Sequence, residues 1–241
     1  METRSLRAFK PLLVRELLSE FCSPIAYVAL SVFLLLSGYF FSVILNSTQE
    51  ASMRYAFGNF SVTLLFLAPA LTMRLLAEEK KTGNLEILMT APVTEWEVVL
   101  AKFAAGWLLY LFIAAPTLIY VIFLRMYGQP DWGPIVTGYV GLALMGSVFV
   151  AIGLFTSALA SNQIIAAMLS FAVLLGFWVL GFATEDATSV LGKVLAYLSL
   201  FEHYDTFRRG ILDTKDLIYY VSTTALFLFL TVRAVESRRW R

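Results

Sequence analysis

A stretch of uncharged sequence longer than any single membrane crossing constrains how this chain can fold. Residues 132–184 contain no Asp, Glu, Lys or Arg, and as one α-helix these 53 residues would extend roughly 80 Å. About 20 apolar residues already cross the hydrocarbon core of a bilayer, so the stretch predicts two helices. Ser161, Asn162 and Gln163 form a short polar break at which the chain can turn between them.

The composition and the other uncharged stretches predict an all-α integral membrane protein. Hydrophobic residues make up 59% of the 241 residues and charged residues 15%, and the mean hydropathy is +0.77. No soluble domain, internal repeat or linker is evident, so residues 1–241 are predicted to form a single transmembrane domain. Six membrane spans are predicted, at residues 24–45, 56–76, 98–124, 134–158, 164–183 and 216–233.

Small side chains recur every four residues along the fourth predicted span. Such rows let helix backbones approach each other closely in lipid, so close helix packing is expected there. The two rows are Ala143, Ser147 and Ala151, and Gly153, Ser157 and Ser161.

The first twenty residues predict an amphipathic helix that lies in the membrane interface. Residues 4–21 place their arginines away from an apolar side, a pattern typical of interfacial helices. Pro11 favours a helix start near Lys10, and Glu16 and Glu20 are expected near the edge of the apolar stripe. The apolar side consists of Leu6, Phe9, Leu13, Leu17 and Phe21.

The segment before the last span is too short and too polar for a further crossing. Residues 194–201 are apolar over about one third of a spanning length, and a mixed charged segment follows. Residues 190–212 are therefore predicted to form re-entrant or outer helices, which contacts with protein can support at membrane depth. His203, the single histidine, is expected in an interfacial ion pair rather than in catalysis.

The polar loop between the second and third spans carries helix signals of its own. Gly83 can act as an N-cap, Glu86 faces the positive end of the helix dipole, and Pro92 ends the helix. A short amphipathic helix is thus predicted at residues 83–91. Its apolar face either docks in a groove of a partner or rests on this protein's own helix ends or the lipid interface, and spacing alone leaves both open. That face is formed by Leu85, Leu88 and Met89.

A second helix signal follows this loop. Thr94 and Glu97 form a Thr-x-x-Glu capping box directly before the apolar residues 98–100. The box predicts the start of the long helix that contains the third span.

The distribution of basic residues predicts which side of the membrane each loop occupies. Six spans place both termini on one side, and twelve of the 18 Lys and Arg residues then lie on that side. By the positive-inside rule, that side is cytoplasmic and includes the loop between residues 74 and 102.

The sequence lacks the residues that several kinds of chemistry require. No charged residue lies in the middle of a predicted span, which argues against an ion- or proton-coupled carrier. No G-x-x-x-x-G-K-[ST] motif is present, and the single residues His203 and Cys22 exclude a multi-histidine metal site and an intrachain disulfide. No basic cluster indicates nucleic-acid binding. The sequence therefore predicts neither an enzyme nor a cofactor bound by this chain.

Two motifs relate the chain to a known family. The loop residues from Glu78 to Thr94 are similar to the motif E-x-x-x-G-T-L-E-x-L-L-x-[ST]-P. Together with the order of the elements, they resemble the transmembrane subunit of type 2 ABC transporters, the ABC-2 exporter superfamily, and most of all its compact gliding-motility-type permeases. The second motif consists of Phe201, Glu202, His203, Tyr204, Phe207, Gly210, Ile211, Asp213 and Asp216.

The resemblance implies a role for the loop helix. In that family it is a coupling helix that docks on a separate cytoplasmic ATPase, which binds ATP and Mg, and the helix at residues 4–21 is a connecting helix along the inner leaflet. The resemblance also implies that Glu78, Glu79 and Glu86 anchor the joint to the ATPase or to the N-terminal helix. The expected ATPase-coupling residues are Glu78, Glu79, Gly83, Leu85, Glu86, Leu88, Met89 and Pro92.

The resemblance further implies the permease of an ATP-driven exporter in the bacterial inner membrane, with both termini cytoplasmic. Two permease subunits, identical or different, would form the pathway with spans two and five facing each other, and a periplasmic or envelope protein could join them. Two alternatives stay open, an ATP-independent carrier or channel and a component that transmits force to an envelope assembly without transport. The substrate is not predicted, and the aromatic residues that could line its path are Phe57, Phe60, Phe66, Phe171, Phe177 and Trp178.

Overall fold

Every regular element in the described part of the chain is a helix. The computed structural model describes residues 2–48, 50–83, 93–181 and 197–237, and for these residues the predicted all-α class is confirmed. In chain order the elements are α1 (Glu2–Phe21), α2 (Pro24–Thr48), α3 (Arg54–Thr72), α4 (Ala77–Lys81), α5 (Glu95–Ala114), a 3₁₀ turn (Ala115–Thr117), α6 (Leu118–Tyr127), α7 (Trp132–Leu159), α8 (Gln163–Val179), α9 (Leu200–Arg208) and α10 (Thr214–Glu236).

Within the described residues, five helical stretches are long and apolar enough to cross a membrane. Helix α8 is apolar but shorter, at 17 residues, and it covers most of the predicted fifth span. The structure therefore supports a multi-pass protein, and the six-span layout stays a prediction. The five stretches are Pro24–Thr48, Arg54–Lys81, Glu95–Met126, Trp132–Leu159 and Thr214–Glu236.

Two predicted spans are not the continuous helices that the sequence indicates. Helix α3 ends at Thr72, and a turn at residues 73–76 separates it from α4, whereas the sequence predicts one helix up to residue 76. The third span is interrupted at Pro116, because proline lacks the N–H that an α-helix uses and its ring clashes with the preceding turn. The chain forms the 3₁₀ turn there and continues as α6.

Helix α7 lies at the centre of the bundle, because its glycines admit side chains from three other helices. A Cβ added at any of four glycines would collide with one of these side chains. The predicted rows of small residues take part in this packing, since Ser147 also shares a hydrogen bond with Thr224 of α10, with 2.9 Å between the two hydroxyl oxygens. The four pairs are Gly138 with Phe57, Gly141 with Phe207, Gly146 with Tyr110, and Gly153 with Thr72.

Helix α9 is joined to the start of α10 by a buried histidine. His203 Nδ1 lies 2.6 Å from Asp216 Oδ1, and His203 Nε2 lies 2.9 Å from the carbonyl oxygen of Tyr197. Because a carbonyl oxygen only accepts, Nε2 carries a hydrogen and donates it. The contact between His203 and Asp216 is of the kind that the sequence predicts. Residues 190–196 of the predicted outer segment lie outside the described part of the chain.

Helix α1 differs from its prediction in its start and in its buried face. It begins at Glu2 and not near Lys10, and Pro11 lies within it on the exposed side. Glu16 and Glu20 are 5% and 4% exposed, so they occupy the centre of the buried face instead of its edge. A carboxylate can be buried in this way only when charged partners face it, and the partners on other elements are Lys102 and Arg74. The predicted apolar residues that are only half buried are Phe9, Leu13, Leu17 and Phe21.

The variant Gly146→Ala tests the packing around α7. We expect it to lower the free energy of unfolding by about 1–3 kcal/mol, because the added methyl group collides with the buried Tyr110 ring. Thermal unfolding of the purified protein in detergent measures the loss. Gly176→Ala in α8 is the matched control, since no atom lies within 4 Å of its added Cβ. Equal stability of the two variants would contradict this packing.

Candidate functional site

The predicted coupling residues lie only partly in the described structure. Glu78, Glu79 and Gly83 are described, and they belong to the segment that leads into the loop. Beyond Gly83, the helix predicted at residues 83–91 lies outside the described part, as do five of the predicted coupling residues. Those five are Leu85, Glu86, Leu88, Met89 and Pro92.

Gly83 ends helix α4 and does not have the conformation expected of an N-cap. Its φ angle is 72°, and its N–H donates to the carbonyl of Lys80 at 3.3 Å. An N-cap residue typically has an extended backbone, whereas a left-handed glycine is typical of the position just after a helix. A residue with a side chain would be strained here, so the chain needs this glycine to leave α4.

A single hydroxyl group on α7 holds the turn that precedes α4. Ser157 Oγ accepts hydrogen bonds from the backbone N–H groups of Leu76, at 3.0 Å, and Ala77, at 2.9 Å. It donates to the carbonyl of Met73 at 3.1 Å. The first N–H groups of a helix have no acceptor within the helix, so Ser157 satisfies donors that would otherwise be buried and unpaired. The turn at residues 73–76 is thereby attached to α7.

Lys80 attaches the other end of α4 to the same helix. Its Nζ donates to the carbonyl groups of Ser157 at 3.4 Å, of Ala158, and of Ala160 at 3.1 Å. The last carbonyl groups of a helix lack partners within it and carry the negative end of its dipole, which a cation neutralises. Helix α4, only 5 residues long, is therefore fixed at both ends to the C-terminal end of α7.

Helix α4 also contributes a carboxylate to a buried group of charges. Glu79 lies 2.9 Å from Nζ of Lys102, on α5, and 3.3 Å from the guanidinium of Arg15, on α1. Glu16 of α1 lies 2.9 Å from Lys102 and 2.6 Å from Arg15. The side chain of Lys102 is 2% exposed, so these two carboxylates replace the water that its charge has lost. Helices α1, α4 and α5 meet at this point.

A further ion pair extends these contacts along α1. Glu20 Oε2 lies 3.4 Å from the guanidinium of Arg74, which belongs to the turn between α3 and α4. Arg74 also donates to the carbonyl of Ser19. The charges of the whole set balance, with three carboxylates and three cations. We call this set the charge cluster; its members are Arg15, Glu16, Glu20, Arg74, Glu79 and Lys102.

Burial affects the two glutamates of α1 differently. Burial raises the pKa of the Glu16 carboxyl, but the attraction of Lys102 and the hydrogen bond from Arg15 outweigh burial, so this pKa lies below its usual value. For Glu20, burial outweighs the attraction of Arg74, and its pKa lies above its usual value. At neutral pH, ionisation of Glu16 therefore stabilises the fold, whereas ionisation of Glu20 opposes folding.

The capping box at the start of α5 is confirmed. The Glu97 N–H donates to Thr94 Oγ1 at 3.3 Å, and the Thr94 N–H donates to Glu97 Oε2 at 2.8 Å. Both bonds satisfy donors that the first turn of a helix leaves without partners. The box fixes the point at which the chain re-enters the bundle after the loop.

The aromatic residues predicted for a substrate path have different environments. Phe57 and Phe60 are fully buried in the core of the chain. Phe171 of α8 is half buried, and its ring centroid lies 5.4 Å from that of the exposed Phe66 of α3. Phe177 is also half buried and contacts Phe227 of α10. Their role in a path stays a prediction.

Sequence reasoning missed most of the residues that hold α4 in place. Ser157 is one small residue among many along α7, and Lys80 was counted only as a cytoplasmic cation. The signal that could have revealed the charge cluster is the spacing of Glu16 and Glu20. These two residues lie four apart, which places both carboxylates on one face of α1, next to its apolar stripe.

The chain belongs to a known family of membrane transport proteins. Residues 37–233 match the family described as ABC-2 family transporter protein, over more than four fifths of the 241 residues. With its helical, multi-pass architecture, the chain is thus an ABC-2 type permease, a membrane subunit of an ABC transporter. A search of curated proteins finds no match to it.

The variants Glu16→Gln and Glu20→Gln test separately what each glutamate of α1 contributes to the charge cluster. At neutral pH we expect Glu16→Gln to cost about 2–4 kcal/mol of stability, because Lys102 loses one of its two buried partners. We expect Glu20→Gln to cost much less, because ionised Glu20 is already penalised by burial. Thermal unfolding in detergent measures both.

The dependence of the Glu16→Gln effect on pH provides the control. A carboxyl with a lowered pKa stabilises the fold above its unfolded pKa, about 4.3 for Glu, and this contribution is lost as the pH falls through the folded pKa. The stability difference between the unchanged chain and Glu16→Gln should therefore shrink below about pH 4. An equal loss for both variants at neutral pH would contradict the assignment.

Proposed function

We propose that this permease couples to a separate cytoplasmic ATPase through the loop at residues 83–92 and exports a substrate at the expense of ATP. The observation that carries the proposal is the attachment of α4, the element directly before that loop. Ser157 and Lys80 fix α4 to α7, and Glu79 joins it to α1 and α5. A displacement of the loop would therefore be transmitted through α4 to three other helices, α1, α5 and α7.

The attachments suggest how the motion is passed on. Closure of the ATPase pair on ATP would displace the loop, and α4 would carry the displacement to the end of the central helix α7. At the same time, Glu79 would carry it to α1 and α5 through Lys102 and Arg15. Close-packed helices shift as rigid bodies and not by gradual deformation. A small movement of the loop would thus shift α1 as a rigid body relative to the rest of the permease half.

The proposed arrangement in the membrane has six spans and both termini in the cytoplasm. Helix α8 is the fifth span, and α1 lies along the inner leaflet as the connecting helix. Residues 190–212, which include α9, lie on the outer side, and residues 1–241 form one transmembrane domain of the bacterial inner membrane. The excess of Lys and Arg on the side of the termini supports this orientation.

The partners follow from the same proposal. ATP and Mg bind to the ATPase, and this chain supplies docking residues but no catalytic group. A second permease, identical or different, completes the pathway opposite α3 and α8. The exposed Phe66 and its neighbour Phe171 support this interface, because they form an uncovered apolar face on these two helices. A periplasmic or envelope protein is a further candidate partner.

A second candidate function is the transmission of force to an envelope assembly without transport. The close packing of the core supports it, because Phe57 and Phe60 are 0% exposed and so do not line an open path within this chain. The sequence likeness to gliding-motility-type permeases supports it as well. In that case ATP turnover would be coupled to movement of the envelope partner and to no substrate.

Recovery of the ATPase with tagged protein from the native host tests the docking assignment. We expect a soluble ATPase with a Walker motif to co-purify in mild detergent and to be lost in Leu88→Asp, because the charge disrupts the apolar face of the loop helix. Mass spectrometry of the purified material identifies it.

The matched control for this experiment is Leu212→Asp. Leu212 is a 60% exposed leucine near α9, at the end of the bundle opposite α4. The control variant should retain the ATPase. Retention of the ATPase in Leu88→Asp would show that docking lies elsewhere, and absence of an ATPase from the unchanged, folded chain would contradict ATP coupling itself.

A further inference from the structure

A cavity of about 520 Å³ opens between α2, α3, α8 and α9. It lies near the beginning of α3, at Gly58 and Asn59. The other end of α3 leads into the turn at residues 73–76 and then into α4. The 14 helical rises from Gly58 to Thr72 place the cavity roughly 21 Å along the helix from that end. The cavity is therefore near the end of the bundle opposite the charge cluster, which the orientation proposed above places at the outer leaflet, among lipid headgroups.

One cation of this cavity has hydrogen-bonding capacity to spare. Arg208, at the end of α9, lines the cavity and is 26% exposed, and one of its terminal nitrogens lies 2.8 Å from Asp205 Oδ1. Its Nε is buried and has no hydrogen-bond partner among the described residues. A buried guanidinium N–H without an acceptor is costly. The accessible part of the same guanidinium can bind an anion in the cavity.

The helix opposite is shaped around this guanidinium. Gly58 lies inside α3, where glycine weakens a helix, and a Cβ there would lie 2.6 Å from Nη1 of Arg208. The absence of a side chain at Gly58 lets the guanidinium approach the backbone of α3 and face the cavity. The position of Arg208 is thus built by two elements and is not that of a freely moving surface side chain.

The local charge favours an anion as the ligand. Asp205 also pairs with Arg209, at 2.5 Å, so one carboxylate is shared between two guanidinium groups. The rest of the wall is mixed, and it includes the polar amide of Asn59 and the aromatic rings of Trp178 and Phe201. Such a wall accepts a molecule that has an anionic group next to an apolar part.

We propose that this cavity binds the anionic headgroup, a phosphate or a carboxylate, of a membrane amphiphile, with Arg208 as the cation that receives it. The guanidinium fork matches the oxygens of such a group, and the aromatic rings contact the adjoining apolar part. The site belongs to the permease chain alone and does not depend on the docking of an ATPase.

Quenching of Trp178 fluorescence by brominated lipid tests this proposal on the full-length protein in nanodiscs. Bromine quenches tryptophan at close contact, and the difference between the unchanged chain and Trp178→Phe isolates the signal of the cavity. Nanodiscs with brominated phosphatidylglycerol should quench Trp178 more strongly than nanodiscs with brominated phosphatidylcholine. Titration of the brominated lipid then gives an apparent affinity.

Neighbouring arginines provide the matched variants. Arg208→Gln should weaken the apparent affinity for phosphatidylglycerol about tenfold, the usual effect of losing a charge-assisted hydrogen bond. Arg209→Gln removes the same charge from a residue that is 56% exposed and does not line the cavity, so it should weaken the affinity far less. Gly58→Ala should also weaken binding without harming the fold, because it displaces only the guanidinium and strengthens the helix.

Three outcomes would overturn the proposal. Equal quenching by the two lipids would remove the preference for an anion. Equal losses of affinity in Arg208→Gln and Arg209→Gln would show that general surface charge attracts the lipid. Binding of inorganic phosphate as tightly as phosphatidylglycerol would assign the site to a free anion and not to an amphiphile.

Discussion

Burial of the Lys102 ammonium group is the constraint on which one end of the bundle depends. A cation at 2% exposure is stable only with carboxylates around it, and α5 supplies none at this point. Helix α1 provides Glu16 and α4 provides Glu79, so one buried charge joins both helices to α5. The apolar contact that accompanies it is formed by Leu12 with Val98 and Ala101, and three partly buried residues pack against it, Phe9, Leu13 and Val93. Charge pairing thus holds α1 on the bundle together with hydrophobic packing.

Helix α7 links this end of the permease to the other. Its C-terminal end receives Lys80 and presents Ser157 to the turn before α4. Nearer its start, Gly141 admits Phe207, and the carbonyl of Gly138 accepts a hydrogen bond from Tyr204 of α9. Helix α9 carries Arg208 and borders the cavity on the opposite face. One closely packed helix therefore contacts both α4, which precedes the predicted coupling loop, and α9, which borders the cavity.

The sequence predicted what depends on local chemistry and missed what depends on distant partners. Uncharged stretches predicted the helices, and the Thr94–Glu97 box predicted the start of α5, because a cap is formed by neighbours in the chain. The predicted buried face of α1 was wrong. Glu16 and Glu20 are polar by any hydropathy scale, and they are buried because they pair with Lys102 and Arg74 on other parts of the chain. The role of Ser157 could not be predicted for the same reason. It depends on a turn at residues 73–76 that hydropathy alone predicts as continuous helix.

The central claim is that α4 transmits motion of the loop to α1 through Glu79. Distances between spin labels at the exposed positions Leu18 of α1 and Ile218 of α10, measured in the complex with its ATPase before and after ATP addition, test it most directly. We expect ATP to change this distance in the unchanged protein and to leave it nearly constant in Glu79→Gln, with the ATPase still bound. The same change in both proteins would contradict the claim.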